Sequence, residues 1–318
     1  MTDRDRFREW VGAHRILSFY VLALGISWSG FIPYGAAQGG YLRVTIPFEV
    51  PVLTQFGPSI AAFVVSFFLL GRAGITELLG RAVRWRFRFR WYAIALLLTP
   101  AVGVAILLLH YAFGDRVPSL QALGNWHIAY AESFGTGGAY SLQKTNPSMG
   151  ILDFFRHTAG RGPWYALMVF LFFAITAGPI SEEFGWRGWA LPRLQSLHSP
   201  LGASMLVGLL WGLWHTGPDF WRLLLGGNPA AFLYPLAITG GTLPLSILFT
   251  WMYKNTGGSL ICPMLCHASF NSTLLLLSLV WEGRWSFVIG AELVAGLWLI
   301  AMAVVRSGTF RRTAPAFA

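Results

Sequence analysis

Acidic residues are scarce in this chain. Asp and Glu number 13 against 23 Lys and Arg in 318 positions, and charged residues of every kind amount to 11%. A soluble domain carries about a quarter charged residues. That shortage, with 55% hydrophobic residues and a mean hydropathy of +0.56, excludes a soluble globular protein and defines an integral membrane protein. Cysteine is almost absent as well. Cys262 and Cys266 are the only two, one helical turn apart in an apolar stretch, which excludes a disulfide framework and makes them small buried residues. An internal repeat, a low-complexity tract and a second domain are all lacking, so residues 1–318 read as a single membrane domain.

What is present is a series of apolar runs. Crossing a bilayer takes about 20 apolar residues, and eight spans are expected at 16–35, 52–70, 91–113, 164–183, 201–216, 231–252, 260–280 and 285–305. The fold class is therefore all-α and polytopic. The N-terminus, of mixed charge and followed by a full-length span with no small-residue cleavage site, reads as a retained first helix. With eight spans both termini lie on one side, and most Lys and Arg fall there, which places the termini in the cytoplasm. The arginine run at 81–90 (RAVRWRFRFR) is explained as a juxtamembrane basic loop that attracts anionic headgroups, and it does not require a nucleic-acid partner. Residues 114–162 are expected to form an external loop, with a short interfacial helix near 151–157.

Carboxylates inside or beside such spans are rare and have a task. Only Glu182, Glu183 and Glu292 qualify. Glu183 lies four residues before Arg187, so the two share a helix face and can pair, while Glu182 points about 100° away and is left for chemistry. Further polar groups follow at His215, and at His267 and Asn271, whose i, i+4 spacing stacks an imidazole on a carboxamide. Three helices thus each bring one small polar set, and their convergence into one cavity is the economical arrangement. Glu292 lies outside these sets. His14, His110, His127, His157 and His198 fall at span ends or in loops and read as solvent-exposed. Six tryptophans (164, 186, 189, 211, 214 and 221) cluster around the same helices. Interfacial belts account for most of them, with a fraction expected to line a groove.

The order and placement of these groups resemble a known family. Glu182-Glu183-Phe-Gly-Trp-Arg187 is similar to EExxxR, Trp211 to His215 to FxxxH, and His267 to Asn271 to HxxxN, the motifs of the CPBP intramembrane proteases, which include the type II CAAX prenyl endopeptidases and bacteriocin-processing proteins. Gln55-Phe-Gly-Pro58 is also similar to the family. The resemblance covers about residues 50–280, most specifically 164–280. It implies Glu182 as general base, His215 as its helper in activating water, His267 and Asn271 as holders of the oxyanion, and Glu183 and Arg187 as supports. It further implies a cytoplasm-facing intramembrane cavity and a membrane-associated or prenylated CAAX-like protein or peptide as substrate. Trp211 stands where phenylalanine is usual, a change that keeps an aromatic wall and touches shape more than chemistry.

A metal is left open at this point. Glu182, His215 and His267 are donors of the kind that hold a catalytic zinc ion, yet a His-Glu-x-x-His helix is missing, and activation of water by Glu and His needs no metal. Two other classes use the same residues: a non-catalytic binding or immunity scaffold in the membrane, and a proton-coupled transporter, which calls for inverted repeats that the chain lacks. One depth does not fit the span boundaries. His215 lies roughly 22 Å into the fifth span at 1.5 Å per residue, whereas Glu182 and His267 are expected near the cytoplasmic face. The three meet only if residues 187–200 prolong the fourth helix and turn back.

Overall fold

The computed structural model describes residues 2–47, 49–114, 171, 178–280 and 284–310. These are helical with no strand, and four helices are long and apolar enough to cross a membrane: Arg15–Gln38, Phe89–Ala112, Ala231–Asn255 and Val288–Arg306. Gly57–Leu70 and Pro200–Trp214 are apolar but shorter. All of the expected 114–162 loop but Gly114, and residues 164–170 and 172–177 of the expected fourth span, lie outside the described residues.

Helix α1 (Asp3–Ala13) opens on a capping box. The Thr2 hydroxyl accepts from Asp5 N–H at 3.2 Å, and the Asp5 carboxylate accepts from Thr2 N–H at 2.8 Å. α2 (Arg15–Gln38) buries Phe19, Ala23, Ser27, Phe31 and Tyr34, one helical stripe. The expected second span is broken. A short α3 (Glu49–Thr54) ends before Gln55 and Phe56, and α4 (Gly57–Leu70) starts afresh with Pro58 in its first turn, where the missing proline N–H costs nothing. α5 (Arg72–Ala82) and α6 (Phe89–Ala112) follow.

The second half holds the helices that carry Glu182, His215 and His267. α7 (Pro179–Glu183) runs directly into a π-helical segment, Phe184–Ala190, and then α8 (Leu191–Gln195). The fourth span thus does not end at Glu183, as the hydropathy boundary had it, but continues twelve residues further as a buried rod whose Trp186, Arg187, Trp189, Ala190 and Leu191 are fully enclosed. Glycines allow this. A side chain on Gly185 would strike the Pro58 carbonyl at 2.6 Å, and one on Gly188 would meet Leu260 at 3.2 Å. After a short turn Ser199 caps α9 (Pro200–Trp214), accepting from Gly202 N–H at 3.1 Å.

α10 (Pro218–Leu225), α11 (Ala230–Asn255), α12 (Ile261–Val280) and α13 (Arg284–Arg306) complete the chain. Small and hydroxylated residues bring neighbours close, as membrane packing requires. Ser246 and Thr242 of α11 donate to the Ser204 and Gly208 carbonyls of α9 at 2.8 and 2.9 Å, while Thr99 of α6 bonds Ser269 of α12 at 2.9 Å. Large apolar side chains face outward, among them Leu97, Leu108, Phe232 and Leu236, the surface a lipid-embedded bundle presents.

Candidate active site

The rod formed by α7, the π segment and α8 folds back on α9 as a helical hairpin, and this solves the depth mismatch. Glu182 precedes the turn at residues 196–199 by about as many residues as Trp211 and His215 follow it, so they lie side by side. The irregular turn is where the register is set. Leu191 N–H bonds the Trp186 carbonyl, a five-residue closure typical of π-bulges at functional sites. Glu183 and Arg187 still meet, as their spacing predicts.

The two carboxylates have different surroundings. Glu182 Oε2 accepts from two indoles, Trp211 Nε1 and, at 3.3 Å, Trp186 Nε1. Glu183 Oε1 accepts from Arg187 NH1 at 3.0 Å and faces His267 Nδ1 at 2.8 Å. Glu183 and Arg187 are wholly buried and Glu182 is nearly so. A buried pair of this kind leaves little net stabilisation, but losing one partner strands the other's charge. The Arg187 guanidinium also lies over the Trp211 ring, 4.4 Å from its centroid, and over Phe249 at 4.7 Å, contacts suited to its flat cation.

The histidines differ in which nitrogen is taken. His215 caps α9, and its Nδ1 lies 2.9 Å from the Trp211 carbonyl. A carbonyl only accepts, so Nδ1 carries the hydrogen and Nε2 of the neutral ring has its lone pair free. In His267, Nδ1 is directed at Glu183, and Nε2 points the other way, toward Gly178. A methyl at Gly178 would stand 2.6 Å from that nitrogen and 3.0 Å from Asn271 Nδ2. His267 Nε2 and Asn271 Nδ2 therefore converge on one small space, kept clear by the lack of a side chain at 178. Gly178 is also left-handed, with φ +89°, and its carbonyl accepts from Glu182 N–H at 2.8 Å. It joins the carboxylate helix to the imidazole and carboxamide helix.

The structure thus brings Glu182, Glu183, Arg187, His215, His267 and Asn271 into one cluster. Glu292 is outside it. It pairs across α6 and α13 with His110, whose Nε2 is 2.9 Å from Glu292 Oε2. His110 is therefore not solvent-exposed, because its position near the end of α6 still faces a neighbouring helix; His14 and His198 are exposed, and His127 and His157 fall outside the described residues. The tryptophans also depart from the interfacial reading. Trp186, Trp189, Trp211 and Trp214 are core residues, and three of them have an internal acceptor for the indole N–H: Trp214 bonds Ser27 Oγ at 2.7 Å, and the other two bond Glu182. Two contributors were not legible beforehand, the Trp211 N–H and the bare backbone of Gly178. A glycine–proline pair just before paired glutamates was the available signal for the second.

A zinc ion needs three protein ligands directed at one point. Among the described residues no group of three or more His, Cys, Asp and Glu side chains gathers in that way, and His267 Nδ1 and Glu182 Oε2 already have protein partners. The cluster as placed does not fit a three-ligand metal site, so no step is derived through a metal.

Buried acid, base and amide groups drawn from three helices of a membrane bundle are the equipment of an intramembrane hydrolase. Residues 163–273 match the family described as type II CAAX prenyl endopeptidase Rce1-like. A protein of Methanococcus maripaludis described as CAAX prenyl protease 2 is similar to this chain, 25% identical over 259 residues, which are 77% of this chain and 80% of that protein. The chain is a membrane peptide hydrolase, similar over residues 163–273 to the type II CAAX prenyl endopeptidases.

Proposed function

We propose that the protein is an intramembrane endopeptidase that hydrolyses a peptide bond in a prenylated or otherwise membrane-associated CAAX-like protein. The relative's description as a CAAX prenyl protease supports that substrate class. The observation that carries the reading is the convergence on Trp211 of Glu182, which accepts from its indole N–H, of His215, which bonds its carbonyl, and of His267, which packs on its ring with Asn271 beside it across Gly178.

In this reading Glu182 takes the proton from a water as the water attacks the scissile carbonyl. His215 Nε2, with its lone pair free, accepts a hydrogen bond from that water and orients it. His267 and Asn271 hold the oxyanion. With Nδ1 directed at Glu183, His267 can donate from Nε2 only when both nitrogens carry hydrogen; Glu183 supplies the counter-charge for that form, and Arg187 holds Glu183 in place. Donors fixed in advance in a site shielded from water stabilise developing charge without reorganising. The proton on Glu182 then passes to the leaving amine. Termini on the cytoplasmic side and residence in the plasma membrane complete the proposal, in keeping with the distribution of Lys and Arg.

The test is cleavage of farnesylated and plain peptides by purified protein in detergent. Wild type cleaves a lipidated peptide, and Glu182→Gln and His215→Ala each abolish cleavage while the protein still elutes as a folded monodisperse species. Full activity in Glu182→Gln contradicts the proposal.

A further inference from the structure

Trp211 touches four members of the cluster, Glu182, Arg187, His215 and His267. Its indole N–H donates to Glu182 Oε2, its face carries Arg187, its edge packs on His267 with ring centroids 5.3 Å apart, and its carbonyl accepts from His215. It is 1% exposed, wedged between α9, the π segment, α11 and α12. Phenylalanine could fill the same space and would leave Glu182 without its indole donor from α9.

We propose that Trp211 is a positioning residue for Glu182, selecting which carboxylate oxygen meets the attacking water. This rests on the reading of Glu182 as the base. A terminal carboxylate torsion is broad and nearly two-fold, so a glutamate in an apolar site can exchange its oxygens or swing from the reacting atom. Both hydrogen-bond donors to the Glu182 carboxylate are indoles, and both donate to Oε2. That oxygen is occupied on two sides, and Oε1 is the one left for water. Trp186 sits on the same irregular helical turn as Glu182 and moves with it. Trp211 comes from another helix and ties the carboxylate to the helix that bears His215, fixing the distance between base and helper.

The experiment replaces only the N–H. 3-Benzothienylalanine, which has sulfur in place of the indole nitrogen, is incorporated at position 211 of the full-length protein, and cleavage of a farnesylated fluorogenic peptide is followed in detergent beside wild type, Trp211→Phe, Trp186→Phe and Glu182→Gln. A hydrogen bond to a charged group removed in this way corresponds to roughly a 10- to 100-fold effect. The expected result is a loss of that order in kcat with KM unchanged, reproduced by Trp211→Phe and smaller in Trp186→Phe. A benzothienyl protein that turns over at the wild-type rate, or one whose whole loss is in KM, overturns the assignment while leaving Glu182 as the base if Glu182→Gln is inactive. Activity that survives Glu182→Gln overturns both.

Discussion

Glu183 Oε1 lies 2.8 Å from His267 Nδ1 and takes the Arg187 hydrogen at 3.0 Å on the same oxygen. One carboxylate oxygen thus joins the helix that carries Glu182 to the helix that carries His267 and Asn271. Removing it leaves the Arg187 guanidinium in the core without its paired carboxylate. Glu183→Ala is expected to destabilise the protein by about 3–5 kcal/mol, read as a lowered melting midpoint in detergent, with activity lost. A midpoint equal to wild type would show that Arg187 finds another partner.

Arg187→Lys keeps the charge but cannot spread a flat cation over Trp211 and Phe249 at 4.4 and 4.7 Å. It should behave as a damaging change, with cleavage reduced at least about tenfold and some loss of thermal stability. Comparable kcat/KM in the two proteins would mean that charge alone suffices.

Gly178→Ala places a methyl 2.6 Å from His267 Nε2 on a left-handed backbone. Strain of about 1–3 kcal/mol is expected from the conformation, and a larger effect on turnover from displacement of His267 and Asn271. Steady-state cleavage and a melting curve separate the two. Wild-type kcat in a protein of lowered midpoint would limit Gly178 to a structural role.

His110 and Glu292 are the control. Their pair joins α6 to α13 outside the cluster, so Glu292→Gln should lower stability by no more than about 1–2 kcal/mol and leave kcat/KM near wild type. A collapse of kcat/KM in folded Glu292→Gln would draw this pair into the reaction.

The donor arrangement predicts that chelation has no effect. Dialysis against a strong chelator should leave cleavage unchanged, measured beside metal content by elemental analysis; activity lost on chelation and restored by zinc would show that the cluster does hold a metal.

Much of this was legible in the sequence, for identifiable reasons. Apolar runs of bilayer length locate helices because backbone polar groups must be satisfied within each span, and α2, α6, α11 and α13 lie close to where hydropathy places them. The Glu183–Arg187 contact follows from i, i+4 spacing. Hydropathy failed where burial is by protein and not by lipid: Phe184–Gln195 holds Gly, Arg and Pro, falls outside the hydropathy span that ends at 183, and is a buried helix because glycines let it press against α4 and α5. The break at Gln55–Phe56 escaped for the related reason that an apolar run does not record a local loss of helical hydrogen bonding. Trp211 was read as a wall because sequence gives an aromatic's size but not the direction of its N–H, which depends on where α9 packs against Glu182.

The most direct test of the central claim is a single turnover in H₂¹⁸O, with excess enzyme over a farnesylated peptide, followed by mass spectrometry of both product and protein. If Glu182 acts as a base on water, the new carboxyl terminus gains one ¹⁸O in that first turnover and Glu182 gains none. An unlabelled product, with ¹⁸O in the Glu182 side chain, would mean that the carboxylate attacked the carbonyl itself and would contradict the account.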